Sequence, residues 1–216
     1  MPAKPARPVI FVLAGVNGAG KSSVGGAILE ECGLEWFNPD AFSRERLAQG
    51  IGKDEADAEA WAYGKSRLEE AIAGGTDFAF ETTLGGNTIT ALLARAAATH
   101  DVVMIFCGLD SVERHIARVA LRVRYGGHDI PEQRIRERWT TARRNLISLL
   151  PHLKALQAFD NSHEAAPGET IPEPLLVLEM EDGRALYPAQ GDLAALKATP
   201  DWAKPIVEAM LRAEKS

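Results

Sequence analysis

Only two cysteines, Cys32 and Cys107, occur in 216 residues. They are too few to staple a domain and have no metal-ligand spacing, so both are expected to be inert thiols of a reducing compartment, with the cytoplasm as the location. Long apolar runs are missing too. No stretch approaches the roughly 20 residues of a membrane-spanning helix, and residues Met1 to Pro8 lack the apolar segment of a secretion signal. That leader, 1–8, is expected to be flexible, ahead of one folded unit over 9–216. Aromatic residues make up only 6% without clustering, and the formal charge is −6. Both argue against a nucleic-acid groove, which needs a positive track and stacking platforms. What is present, 46% hydrophobic and 25% charged residues, suffices to bury a large core without metal or disulfide.

The residues from Gly15 to Ser22 fill every fixed position of the phosphate-loop pattern G-x-x-x-x-G-K-[ST], directly after the apolar run Val9 to Leu13. A triphosphate needs a concave row of backbone N–H donors, and glycines at Gly15, Gly18 and Gly20 allow its close approach. Lys21 is expected to reach the β- and γ-phosphates, and the Ser22 hydroxyl to take one position on Mg²⁺. The candidate nucleotide-binding set is Gly15, Asn17, Gly18, Ala19, Gly20, Lys21, Ser22 and Ser23, at the start of a helix over Ser23 to Glu31 whose N-terminus favours anions. The alternative is a glycine-rich turn between strand and helix.

Strand and helix patterns then alternate, as in a mostly parallel sheet covered on both faces. Helices are expected over Phe42 to Gln49 and over Glu55 to Ala73, the second stopped by Gly74 and Gly75. A strand from Asp77 to Phe80 runs into Glu81, Thr82 and Thr83. Asn87 is expected to cap a helix to Ala98, and Val102 to Phe106 reads as a central strand. Two arginine-rich helices, Ser111 to Arg124 and Pro131 to Leu150, form a lid over about 111–150. Phe159 to Ser162 closes the core sheet. A hairpin of Leu175 to Met180 and Arg184 to Tyr187 turns at Glu181, Asp182 and Gly183, and with a terminal helix it fills about 175–213.

Three features carry chemistry. Asp40, after Asn38 and Pro39, is either a helix N-cap or a base that accepts the proton of an acceptor hydroxyl. Glu81 delivers a carboxylate at a strand mouth, to hold the acceptor or a magnesium-bound water, with Thr83 adding a hydroxyl; the alternative is a structural ion pair. Arg114, Arg118 and Arg122 stand on one helix face opposite Val112, Ile116, Val119 and Val123. They are either a solvated face or a lid that lowers arginines onto a transferring phosphoryl group, with Arg118 foremost and Arg122, His128 and Arg138 as further contacts.

The order of these features resembles the zeta toxin family of P-loop kinases, specifically its short stand-alone bacterial branch. The resemblance rests on Asn17 in the loop, Asn38 to Phe42, Phe80 to Leu84, Arg118 to Val123, Gly126 to Pro131 and Asp160 to Ser162. It implies an ATP- or GTP-dependent, Mg²⁺-requiring kinase for a small-molecule hydroxyl. UDP-N-acetylglucosamine is the best-known acceptor in the family. Carried over by position, Lys21 and Ser22 bind triphosphate and magnesium, Asp40 is the base, Glu81 and Thr83 hold the acceptor, and Arg118 contacts the γ-phosphate. The family's second lid arginine is replaced by His128, which leaves its role with His128, Arg138 or neither. An antitoxin partner is left open. The alternatives are a polynucleotide end kinase and a regulatory NTPase without an acceptor.

Overall fold

A computed structural model of the chain describes residues 6–31, 35–125, 127, 129–163 and 172–214. Strands β1 (Val9–Ala14), β2 (Phe78–Thr82), β3 (Asp101–Gly108), β4 (Ala155–Asp160), β5 (Leu175–Glu181) and β6 (Arg184–Tyr187) form one sheet in the order β2-β1-β3-β4-β5-β6. The first four are parallel, while β5 and β6 are antiparallel. The sheet is therefore mostly parallel, as expected. The helices are α1 (Lys21–Glu31), α2 (Pro39–Ala48), α3 (Lys53–Gly74), α4 (Asn87–Ala96), α5 (Val112–Arg124), α6 (Glu132–Leu149), α7 (Leu193–Ala198) and α8 (Lys204–Ala213). Among the described residues no helix is long and apolar enough to cross a membrane.

β1 pairs with β2 on one side and β3 on the other. The chain thus leaves the carboxyl end of β1 at the point where strand order reverses, where open α/β sheets bind ligands. Apolar side chains of alternate parity split the core in two. Ile10, Val12, Ala14, Met104, Phe106, Leu156 and Ala158 join the large cluster with residues of α3, α4, α6 and α8, while Leu13, Ala19, Ile105 and Cys107 make a small one packed by Val24 of α1. Among the described residues the first cluster is the larger. In β4 buried Leu156, Ala158 and Asp160 alternate with half-buried Ala155, Gln157 and Phe159, and Gln157 donates to Glu179 of β5. Close contact at α1 depends on Gly25, whose added Cβ would stand 2.2 Å from Leu13 Cδ1.

Several boundaries differ from expectation. Arg7 donates to the carbonyls of Ala97 and His100 and pairs with Asp101, and the Asp101 amide donates to Pro8. The leader is thus fastened at its end, a correction to its expected flexibility there; residues 1–5, like Cys32, lie outside the described residues. Asn87 is not a cap. Gly86, extended at φ −112°, is the N-cap, because the Asn145 amide of α6 donates to the carbonyls of Leu84 (2.8 Å) and Gly86 (3.4 Å) and sets the preceding turn. The hairpin forms at Asp182 (φ 50°) and Gly183 (φ 72°), the paired positive φ of a tight two-residue loop. Beyond it lies an additional short helix, α7, before α8. Trp202 between them packs on Phe106 and fills the space left by Gly108, where a Cβ would meet its ring at 2.3 Å.

Asn145 is buried and is a bridge between α6 and the turn after β2. Replacing it by Leu removes the donor while keeping the volume, so Asn145→Leu is expected to destabilise the fold by about 1–3 kcal/mol. Urea unfolding checks this; an unchanged midpoint would contradict it.

Candidate functional site

Each glycine of the phosphate loop is demanded by a different neighbour. Gly15 (φ 141°) donates to the Thr82 carbonyl at 3.2 Å, and a Cβ there would lie 2.2 Å from the Cys107 carbonyl oxygen. Gly18 (φ 82°) leaves no room for a Cβ against the His115 carbonyl at 2.8 Å, nor does Gly20 (φ 81°) against Asn161 Nδ2 at 2.4 Å. Asn161, just past β4, donates through that same Nδ2 to the Ala19 carbonyl. Strands β2, β3 and β4 and helix α5 thus all press on the loop, which opens into α1 at Lys21. Cys107 beneath it is an inert thiol, as burial pushes its pKa up to about 12.

Glu81, buried at the end of β2, gathers the loop's functional groups. It accepts from Lys21 Nζ (3.3 Å), Ser22 Oγ (2.9 Å) and Asn38 Nδ2 (3.1 Å). Asn38 is also the N-cap of α2, its Oδ1 accepting from the Ala41 amide at 3.0 Å, with Pro39 in the first turn. This resolves the two readings of Asp40 in part: the cap is Asn38, and Asp40 has another partner. Arg122 of α5 donates to Asp40 Oδ2 at 3.3 Å.

A cavity of about 580 Å³ brings together Asn17, Lys21, Asp40, Glu81, Thr83 and Arg138. Phe37, Phe80 and the half-exposed Trp61 wall it, and Arg134 and Asp57 add charges of both signs. Arg138 reaches the loop directly, donating to Asn17 Oδ1 at 2.7 Å. Its stem lies over Gly85, where a Cβ would come within 2.7 Å of Arg138 Cγ. Desolvation, and after it the charge of Arg134, lowers its pKa.

The expected residues are thus brought together with two differences. Arg118 stands against Gly18 and donates to the His163 carbonyl at 3.2 Å, outside the cavity lining shared by Lys21 and Asp40. Arg122 reaches Asp40 itself. His128 lies outside the described residues. Each member of the arginine row of α5 has a partner at the surface: Arg114 pairs with Asp110, Arg118 donates to a backbone carbonyl and Arg122 pairs with Asp40.

Sequence reasoning missed His115. Its Nδ1 lies 2.8 Å from the Asn17 carbonyl oxygen, which can only accept, so Nδ1 carries the proton. Its pKa is lowered to about 4, chiefly by burial and further by the charges of Lys21 and Arg118, against the opposing hydrogen bond to Asn17 and the charge of Asp110. A signal was available: His115 falls on the apolar stripe of Val112, Ile116 and Val119, at helical spacing for burial. Asn145 carried no such signal, and Asn161 stood out only as part of the Asp160 to Ser162 motif.

No family model matches the chain. A curated relative, an uncharacterized protein of Haemophilus influenzae, is 30% identical over 133 residues, covering 58% of this chain and 88% of the relative. Among solved structures, the complex of AvrRxo1-ORF1 and AvrRxo1-ORF2 with ATP superimposes with a TM-score of 0.62 at 16% identity, over 98% of this chain and 77% of that one. The same pair with sulphate ions gives 0.62 over 92% of this chain and 65% of that chain. A chain of the PezAT toxin-antitoxin system of Streptococcus pneumoniae gives 0.56 at 14% identity, over 100% and 88%. The fold is that of the P-loop kinases, the fold that the zeta toxin resemblance implied.

The depressed pKa of His115 makes stability depend on pH. The unfolded chain takes up this proton first as pH falls, so the contribution is complete above pH 6.5 and is lost between 6.5 and about 4. The shift corresponds to about 3 kcal/mol. His115→Phe is expected to flatten this part of the urea-stability profile between pH 7 and 4.5; an equally steep profile would contradict it.

Proposed function

We propose that the chain, which belongs to the same family as the uncharacterized Haemophilus influenzae protein, is an ATP- or GTP-dependent kinase that phosphorylates a hydroxyl of a small metabolite. One observation carries this reading: the phosphate-loop lysine Lys21 and Asp40, a carboxylate that does not cap its helix, open onto a single cavity with Arg138. A nucleotide switch needs no carboxylate at that place. A neighbour of the same fold was solved with ATP.

The loop binds the triphosphate through its backbone amides and Lys21, which exchanges Glu81 for phosphate oxygens. The cluster of Ser22 Oγ and Glu81 at 2.9 Å suits Mg²⁺: Ser22 would hold the ion and Glu81 a water on it, and the bound ion would neutralise phosphate charge. The acceptor lies in the cavity with its hydroxyl toward Asp40. Asp40 takes the proton as the hydroxyl oxygen forms its bond to the γ-phosphorus, and the bridging oxygen leaves with the nucleoside diphosphate. Arg138, seated on Asn17 and desolvated, meets the charge on the transferring group. Arg122 orients the Asp40 carboxylate. Trp61, with Asp57 and Arg134, suits a polar acceptor presenting one flat face, and a sugar nucleotide such as UDP-N-acetylglucosamine is the first candidate.

The test is transfer of γ-labelled phosphate from Mg-ATP or Mg-GTP to a panel of sugar nucleotides, nucleosides and oligonucleotides. Labelling of a small hydroxylic acceptor is expected; labelling of oligonucleotide ends alone would replace this reading by a polynucleotide kinase. Lys21→Ala is expected to abolish nucleotide binding by calorimetry.

Asp40→Asn is expected to keep nucleotide affinity within a few-fold and to lose roughly 10² or more in transfer rate. The cap at Asn38 is untouched by this change, so unaltered turnover would remove Asp40 as base. Arg138→Ala is expected to lower kcat by about 10³ with little change in acceptor KM. A larger loss from Arg118→Ala than from Arg138→Ala would return the phosphoryl contact to α5.

A further inference from the structure

Asn17 is the residue of the phosphate loop held from two sides. Its backbone carbonyl accepts from His115 of α5 at 2.8 Å, and its side-chain oxygen accepts from Arg138 of α6 at 2.7 Å. Both Asn17 and His115 are buried. An apolar residue in place of His115 would fill the same space on the stripe of α5, but it would leave a loop carbonyl without its donor. The neighbouring turn leaves no slack: a Cβ on Gly18 would stand 2.8 Å from the His115 carbonyl and 3.4 Å from Val119 Cγ2. The middle of the loop therefore rests on this turn of α5, and the direction in which Asn17 presents its amide follows from where its carbonyl is held.

We propose that His115 is a positioning residue for phosphoryl transfer: by donating to the Asn17 carbonyl it fixes the loop in the shape that binds triphosphate and that seats Arg138 on the Asn17 side chain. This rests on the kinase reading above. His115 touches no reacting atom and moves no proton; it acts through Asn17. Two consequences separate it from a residue that merely fills the core. Loss of the donor must weaken nucleotide binding and slow transfer together, because the carbonyl that His115 holds and the amide that seats Arg138 belong to one residue, Asn17. A different side chain able to donate from the Nδ1 position must restore both.

The experiment uses the full chain with His115→Phe, which keeps a ring without a donor, and His115→Asn, whose amide nitrogen replaces Nδ1. Mg-ATP affinity is read by calorimetry and transfer by labelled phosphate, at a temperature where circular dichroism shows every variant folded. His115→Phe is expected to bind Mg-ATP about tenfold more weakly and to lower kcat tenfold or more. His115→Asn is expected to return both to within threefold. Nitrogen-15 NMR of the imidazole in the unaltered chain is expected to show the Nδ1–H tautomer at pH 7, a readout independent of any variant's folding. Affinity and kcat of His115→Phe within twofold of the unaltered chain, equal impairment of His115→Asn, or an Nε2–H tautomer would each overturn the inference alone. Absence of nucleotide binding by the unaltered chain would overturn the kinase reading and this inference with it.

Discussion

The ion pair of Lys21 and Glu81 is the constraint on which the site depends. Two charges buried together are costly unless their remaining hydrogen-bonding capacity is met, and removing one partner strands the other. Here Glu81 also accepts from Ser22 and Asn38, so one carboxylate joins three pieces of chain: the loop after β1, the end of β2 and the start of α2. Asn38 passes the constraint on, since its other amide atom caps α2. The position of Asp40, two residues later, is therefore set by Glu81. The placement of Asp40 and that of Lys21 thus have a common origin.

The electrostatics of the chain are local. A net charge of −6 coexists with helices α5 and α6 rich in arginine, and several of those arginines are spent on nearby carboxylates: Arg114 on Asp110, Arg122 on Asp40, Arg136 on Glu113 and Glu132. Exposed pairs of this kind contribute little to stability. They do cancel the field that a nucleic-acid backbone would need. Arg138 differs because it is desolvated and bound to a neutral amide oxygen. It keeps its charge facing a cavity instead of a carboxylate partner.

What was legible in the sequence is what depends on neighbours in the chain. The phosphate loop, the apolar strands β1 and β3, the stop at Gly75 and the Asp182–Gly183 hairpin turn each follow from residues a few positions apart. The meeting of Lys21, Asp40 and Glu81 was legible at one remove, because Lys21 and Glu81 follow apolar strands, Asp40 follows an apolar segment that bridges to β2 at Phe37, and open α/β sheets bind ligands at that edge. The rest needed partners more than 40 positions away. Asn145 decides where α4 begins from 59 and 61 residues off, and nothing near Asn87 betrays this. The Asp40 ambiguity was of the same kind: Asn38 and Asp40 are both good caps by type, and the choice falls to Asn38 because its second amide atom has Glu81 to reach.

The arginines show the limit of helical periodicity most clearly. Periodicity places Arg118 opposite the apolar stripe of α5, which identifies a face and not what the face meets. In the fold that row runs along the loop edge, so its members reach successively to Asp110, to the His163 carbonyl and to Asp40. Only the crossing of α6 over the turn at Gly85 brings a guanidinium into the cavity, and it does so because Gly85 has no Cβ to hold Arg138 away. A glycine four residues after Glu81, itself unremarkable in the sequence, thus decides how a guanidinium of α6 enters the cavity.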